Sequence, residues 1–360
     1  MKLGILGAGQ LARMLALAAY PLNIKCNFLD PTADSCAAPL GTHIIKEFDD
    51  ESGLAQLAAE NDFVSFEFEN VPATPLQSLA NQVEVYPPVK ALLISQDRLT
   101  EKNTLHELGI ETAPFSAVNS LDELHQAVDE VGYPGILKTR RFGYDGKGQA
   151  VIREKSQLAE AWKSIGEVPA TYEGFVNFSR EVSIIAVRNK GGETRCYPLV
   201  ENVHRNGILY LSTVLENDPL QQQAESMINK LINELDYVGV LVLELFHAGD
   251  KLVANEYAPR VHNTGHWTIE GAACSQFENH IRAVCGLPLG DTQVNCPVAM
   301  INIVGDLPDT NEILKIPGAH LHLYDKTPRA GRKIGHVTVC ATNNNELQSR
   351  IKEIGKFINW

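Results

Sequence analysis

Glu244 and Glu256 stand on two apolar, strand-like runs, residues 238–246 and 252–257, joined by a short turn around Gly249-Asp250. A hairpin turning at Asp250 sets residues equidistant from it face to face, and these two glutamates are such a pair. Directly opposed side chains have Cβ atoms about 4.5–5.5 Å apart, so two bare carboxylates there repel each other. A divalent cation between them removes the repulsion, and a set of oxygens that includes neighbouring Asn255 suits magnesium. The alternative is a pair of solvent-facing glutamates on an edge strand. The run Val238-Gly239-Val240-Leu241-Val242-Leu243 reads as buried on both faces and favours the metal. Just downstream, Arg260, His262, Asn263 and His266 crowd donors beside the pair, and an arginine fork fits a phosphate or acyl-phosphate oxygen.

A second constellation begins at Lys138, at the end of another strand-like run. It continues through Arg140, Arg141, Phe142, Gly143, Tyr144, Asp145, Gly146, Lys147 and Gly148 to Gln149, where a further strand opens. Three glycines within six residues make a pliable loop whose amides can close over phosphate oxygens. Lys138, Arg140, Arg141 and Lys147 add positive charge for a polyphosphate. No Gly-Lys-Ser/Thr is present and no helix follows, so this is not a Walker loop. A plain β-hairpin with a solvated basic tip is the competing reading. A third motif, Gly7-Ala8-Gly9-Gln10-Leu11-Ala12, follows a strand and opens a helix, and Asp30 ends the next strand. It approaches the dinucleotide fingerprint, yet it serves equally as a substrate-phosphate turn or as a tight strand-to-helix connection.

The elements that must hold these groups follow from periodicity. Residues 3–6, 25–29 and 63–66 read as strands and 10–19 as a helix, an alternation that predicts a parallel sheet with crossover helices. After Pro87-Pro88, residues 90–108 read as mostly helical. Beyond Pro134 the pattern turns to hairpins, with strands at 136–139, 149–152, 181–187 and 197–199. A long helix is expected at 220–235, another at 275–284, and a short β-rich tail with strands at 320–324 and 336–340. The fold class is α/β (α+β) in three domains: 1–95, a Rossmann-like parallel sheet; 96–295; and 296–360, small and β-rich.

Composition narrows the function classes. The 360 residues are 44% hydrophobic and 21% charged, with a formal net charge of -13. That charge argues against nucleic acid or an anionic membrane as a partner, while leaving room for a local basic pocket. Seven scattered cysteines without C-x-x-C spacing fit reduced thiols better than a disulfide framework or a zinc site. No apolar run approaches the ~18 residues of a membrane span, and the opening residues lack a signal-peptide core. A cytoplasmic location is expected.

Taken together, Lys138, the loop from Gly143 to Gly148, Glu244, and Asn255-Glu256-Tyr257-Ala258-Pro259-Arg260 resemble the ATP-grasp superfamily. Within it the chain is most similar to the N5-carboxyaminoimidazole ribonucleotide synthases of purine biosynthesis. Further residues carry the likeness: Gly7 to Met14, Gln96-Asp97-Arg98, the stretch through His266, Tyr324-Asp325-Lys326 and Gly331-Arg332-Lys333 up to His336. Ala12 and Phe142 depart from it, standing where glycine is frequent. The resemblance implies an ATP-grasp fold with a Rossmann-like N-terminal domain and a small β-rich C-terminal domain, ATP as substrate, and Mg2+ (or Mn2+) as cofactor. It also implies a homodimer and a reaction in which ATP phosphorylates bicarbonate and the carboxyphosphate delivers CO2 to the amine of aminoimidazole ribonucleotide. Position by position, Arg98, Lys138, the loop residues Gly143, Tyr144, Asp145, Gly146, Lys147, Gly148 and Gln149, and Glu181, His204, Asn255 and Glu256 would contact ATP. Glu173, Gly174, Phe175 and Val176 would be a hinge bonding adenine through its backbone. Glu244 and Glu256 would ligate the metal. Tyr144, Asp145, Lys147, Arg260, His262 and Asn263 would surround carboxyphosphate and the imidazole. Lys326, Arg332 and Lys333, with Gly9, Gln10 and Leu11, would hold the ribonucleotide phosphate, and Glu67 would mark the substrate edge.

Such chemistry asks for positioning and charge stabilisation by magnesium, Lys138 and Arg260, and for a loop that closes over a water-labile intermediate. Asp145 is expected to help take the proton of the attacking amine. Three other readings compete: a different ATP-grasp ligase, such as formate-dependent glycinamide ribonucleotide transformylase or biotin carboxylase; a nicotinamide oxidoreductase; and a nucleotide-sensing module without turnover. Bicarbonate-dependent ADP release that needs aminoimidazole ribonucleotide separates them.

Overall fold

The computed structural model describes residues 1–143 and 147–358. Lys2–Leu6 is apolar after its first residue, and Leu3, Ile5 and Leu6 are fully buried. A strand covered on both faces belongs inside a parallel sheet. It lies at the centre of five parallel strands ordered Thr42–Ile44, Lys25–Leu29, Lys2–Leu6, Phe63–Phe66, Glu84–Val85. The crossovers that parallel pairing demands include the helices Gln10–Ala19, Glu51–Glu60 and Ala73–Ala80. Strand order reverses between Lys2–Leu6 and Phe63–Phe66, so a crevice opens outside their carboxyl ends. The Gly7 turn and Glu67 both lie there.

The stretch expected to be mostly helical, 90–108, holds two helices, Val89–Ser95 and Arg98–Glu107. Asp97 separates them because its carboxylate accepts from the Leu99 and Thr100 amides, an N-cap that starts a new helix. Beyond it, Phe115–Val118, Ala170–Gly174, Gly135–Thr139 and Gln149–Ile152 form a small antiparallel sheet in that order. The helices Leu121–Val131 and Leu158–Ser164 bury their apolar faces against it.

The large sheet has nine strands among the described residues. It runs Lys251–Ala258, Gly239–Ala248, Arg180–Arg188, Val200–Arg205, Ile208–Val214, Val298–Gly305, Arg329–Cys340, Ala319–Leu323, with Thr194–Cys196 paired to Arg180–Arg188. One expectation is corrected here. Residues 197–199 link two strands instead of forming one: Pro198 has no N–H for a ladder, and the Leu199 amide donates to the Gln221 side chain. The β-rich C-terminal strands join the central sheet. Val298–Gly305 pairs with Ile208–Val214, Leu211 opposite Ile301, and extends the same sheet, with the helix Asn344–Ile354 packed beside it.

One apolar cluster joins Leu11, Leu15 and Phe28 of the first unit to Val240 and Val242 of the large sheet, Phe277 and Ile281, and Tyr324 near the C-terminus. His280 fastens this junction. Its Nδ1 accepts from the Val240 amide at 3.1 Å, which leaves Nε2 to donate to Ser65 Oγ at 2.9 Å. Burial pushes its pKa down to about 4, so the ring stays neutral at physiological pH. Among the described residues, no helix is long and apolar enough to cross a membrane.

Candidate active site

The hairpin Gly239–Ala248/Lys251–Ala258 turns at Gly249-Asp250, with Ala248 opposite Lys251 and Leu245 opposite Ala254. An unbroken ladder would then put Asn255 opposite Glu244. A bulge between Glu244 and Leu245 absorbs one residue, and Glu256 becomes the partner of Glu244. The two carboxylates therefore share a face. Glu256 Oε2 accepts from Arg98 Nη1 at 2.9 Å, and Glu244 Oε1 lies 3.2 Å from His262 Nε2. Burial together with the neighbouring Glu256 charge pushes the Glu244 pKa up to about 8. Burial also acts on Glu256, but the Arg98, Lys138 and Lys102 charges outweigh it and hold that carboxyl below its ordinary value. Burial and the like charge of Glu256 therefore favour a proton on Glu244 at neutral pH, and a cation between the two carboxylates would displace it.

His262 is held well below its usual pKa by burial and by Arg260 and Lys333. Its Nδ1 accepts from the Thr264 amide at 3.4 Å, so the ring proton sits on Nε2 and points to Glu244. Arg260 Nη2 contacts Glu69 Oε1 at 2.8 Å and Nη1 donates to the Val261 carbonyl, while its buried Nε has no partner. The Oδ1 of Asn255 is likewise buried and unpartnered. Asn263 exchanges amide hydrogen bonds with buried Asn302, at 3.0 and 2.6 Å, and is fixed in orientation.

These groups line one cavity of about 590 Å³ between the sheets. Its walls bring together Arg98, Lys138, Gly143, Lys147, Gly148, Gln149, Glu181, His204, Glu244, Asn255, Glu256, Arg260, His262, Asn263 and Lys333, with Gln10, Leu11 and Glu67 at the far end. His204 Nδ1 lies 3.1 Å from Glu181 Oε2; burial lowers its pKa, but the Glu181 carboxylate overrides this and raises it. Tyr144, Asp145 and Gly146 lie outside the described residues. Glu173, Gly174, Phe175 and Val176 do not line the cavity. The Gly174 and Phe175 amides donate to the Pro114 and Pro134 carbonyls. Glu173 instead receives Lys138 at 3.0 Å and Lys102 at 3.1 Å. Burial opposes its ionisation, yet these lysines and Arg98 drive its pKa down to about 2.

Two readings of the sequence change. Arg140 and Arg141 both pair with Asp97, Arg140 from the cavity wall: Arg140 makes a bidentate bond at 3.0 and 2.8 Å, and Arg141 Nε lies 3.5 Å from the same carboxylate. The glycine turn already holds a carboxyl group of its own. Glu67 accepts from the Gly9 and Ala12 amides, and a methyl on Gly7 (φ 101°) would sit 2.5 Å from Glu67 Cγ. Lys326 bonds Gln10 at the cavity edge, whereas Arg332 donates to the Thr327 carbonyl at 3.2 Å. Phe142 has φ 62°, a left-handed backbone that favours glycine. Sequence reasoning missed Glu69, Glu101, Lys102 and Asn202. Charged groups in a turn or a polar helix, and a polar residue in an unnoticed strand, look like surface until tertiary packing buries them. Only the i, i+4 spacing of Asp97 with Glu101 and of Arg98 with Lys102 hinted at a shared target.

The donor set fits magnesium: two carboxylates and an orphaned amide oxygen, with no group of three His, Cys, Asp or Glu converging among the described residues. Mg2+ takes few protein ligands and completes its shell with phosphates and water. Comparison with known proteins supports the same chemistry. Residues 1–96 match the family model of the ribonucleotide synthetase preATP-grasp domain, 103–277 the ATP-grasp domain, and 298–350 the phosphoribosylaminoimidazole carboxylase C-terminal domain. The N5-carboxyaminoimidazole ribonucleotide synthase of Pseudomonas aeruginosa is 49% identical over 99% of both chains. The crystal structure of N5-carboxyaminoimidazole ribonucleotide synthetase from Thermus thermophilus superimposes with a TM-score of 0.96 at 46% identity, covering 99% of each chain. A synthase from Aspergillus clavatus, in complex with ADP and 5-aminoimidazole ribonucleotide, gives 0.91 at 32% identity, again with 99% coverage. The chain belongs to the N5-carboxyaminoimidazole ribonucleotide synthase family of ATP-grasp enzymes.

Proposed function

We propose that the chain carboxylates 5-aminoimidazole ribonucleotide with bicarbonate at the expense of ATP, releasing ADP, phosphate and N5-carboxyaminoimidazole ribonucleotide for purine biosynthesis. The observation that carries this is the opposed pair Glu244–Glu256, set in one cavity with Lys138 at one side and Arg260, His262 and Asn263 at the other. Glu244, Glu256 and the Asn255 oxygen would hold magnesium, which neutralises phosphate charge during transfer. Lys138 and Arg98 would lie against the nucleotide phosphates, with Gly143, Lys147, Gly148 and Gln149 above them and Glu181 and His204 near the nucleoside. The unpartnered Arg260 Nε is a donor for a carboxyphosphate oxygen. His262 Nε2 lies 3.2 Å from Glu244 Oε1 and borders that side of the site. Lys333 and Lys326 supply charge for the ribonucleotide phosphate near Gln10 and Leu11, where Glu67 must yield the helix amides or share them. In the division 1–95, 96–295 and 296–360, each part brings one wall: substrate turn, nucleotide and metal, phosphate lysines. A homodimer in the cytoplasm completes the proposal.

The test is coupled ADP release with each substrate withheld in turn. Turnover is expected only with ATP, Mg2+, bicarbonate and aminoimidazole ribonucleotide all present. Equal ADP release with formate and glycinamide ribonucleotide would replace this reading with the transformylase.

A further inference from the structure

Lys251–Ala258 is an edge strand of the large sheet, so the outward-facing peptide groups around the bulge that pairs Glu256 with Glu244 need partners from outside the sheet. Those partners come from one helix, Arg98–Glu107. Glu101 Oε1 accepts from the Tyr257 amide at 2.6 Å, and Lys102 Nζ donates to the Asn255 carbonyl at 3.2 Å. Both side chains are buried, Glu101 at 3% exposure and Lys102 at 0%. Lys102 Nζ also lies 3.1 Å from Glu173 Oε2, so it ties the small sheet to the bulge. A register without the bulge would set Glu256 opposite Leu243, the place now taken by buried Tyr257, and turn its carboxylate to the other face.

We propose that Glu101 and Lys102 are positioning residues for the divalent-cation site: from adjacent places on one helix they clasp both ends of the bulge and fix the register that brings Glu256 to Glu244. The inference rests on the reading of that pair as the metal site, and the experiment separates the two. Mn2+ binding is titrated by water-proton relaxation in the presence of a nonhydrolysable ATP analogue. The proteins compared are the full-length wild type, Glu256→Gln, Glu101→Leu, Glu101→Gln and Lys102→Met, each checked for native circular dichroism and elution volume. Glu101→Leu removes the acceptor for the Tyr257 amide and should weaken Mn2+ binding tenfold or more. Glu101→Gln keeps an oxygen there and should stay within twofold of wild type. Lys102→Met breaks the other half of the clasp and should also lose tenfold, and it carries the test alone should Glu101→Leu not fold. Unchanged binding in Glu256→Gln would refute the metal reading itself. Loss in Glu256→Gln with full binding in Glu101→Leu and Lys102→Met would overturn the clasp, as would equal losses in Glu101→Gln and Glu101→Leu.

Discussion

Glu101 and Glu173 are both buried carboxyls close to Lys102, yet their environments push them in opposite directions. Burial and the nearby Glu256 charge raise the Glu101 pKa to about 8, whereas Glu173, gripped by two lysines, titrates near 2. An acid whose folded pKa is raised stays protonated while the unfolded chain ionises. Its contribution to stability is therefore full below about 4.5 and declines as pH rises toward 8, by about 1.4 kcal/mol per unit. Glu101→Gln removes this slope. In urea unfolding at pH 5.5 and 7.5, the variant should gain roughly 2–3 kcal/mol on the wild type at the higher pH. A difference independent of pH would show that Glu101 is charged in the fold. Arg260 offers a kinetic counterpart. Its planar fork spans Glu69, the Val261 carbonyl and the open Nε position, and lysine cannot reproduce that. Steady-state assays of Arg260→Lys should show kcat reduced roughly 10²–10³-fold with a far smaller change in KM for ATP.

At the scale of elements, the helix Arg98–Glu107 is the piece on which the site is aligned. Asp97 caps it and at the same time anchors Arg140, where the strand Gly135–Thr139 enters the glycine-rich loop. Replacing Asp97 with alanine loses a cap worth ~1 kcal/mol and a charge-assisted pair of similar or larger size. A stability loss of about 2–3 kcal/mol by denaturant titration is expected, with a raised KM for ATP. A loss below 1 kcal/mol would mean that the loop is anchored elsewhere. The hairpin shows how sequence reasoning can reach the right pair through incomplete geometry. Counting outward from Asp250 places Glu244 against Glu256, but the turn occupies both Gly249 and Asp250, and only the bulge restores the match.

Across the whole molecule, the nine-stranded sheet makes the C-terminal segment part of one structure. Val298 and Met300 belong to the cluster that also holds Val240, Val242 and Phe277, and Val298–Gly305 covers the edge of Ile208–Val214. A fragment ending at residue 296 would expose that edge and an apolar face to other chains. It should elute as aggregate or partition to the insoluble fraction, where the full chain elutes as a defined species. A monodisperse fragment would show that the C-terminal strands are dispensable for the core.

What the residues determined alone was whatever depends on local chemistry and short spacing. The parallel unit follows from apolar runs alternating with helices, the hairpin from its turn, and the glutamate pair and the donors of Arg260, His262 and Asn263 from their neighbourhood in the chain. The family motifs were legible for the same reason. Tertiary structure decided what depends on distant partners. It buried Glu101 and Lys102 and gave Arg140 to Asp97. It filled the Gly7 turn with Glu67 and carried the last strands onto the central sheet. In each case the free energy comes from a charge or peptide group meeting its counterpart across a long separation in sequence, and local pattern does not encode that meeting.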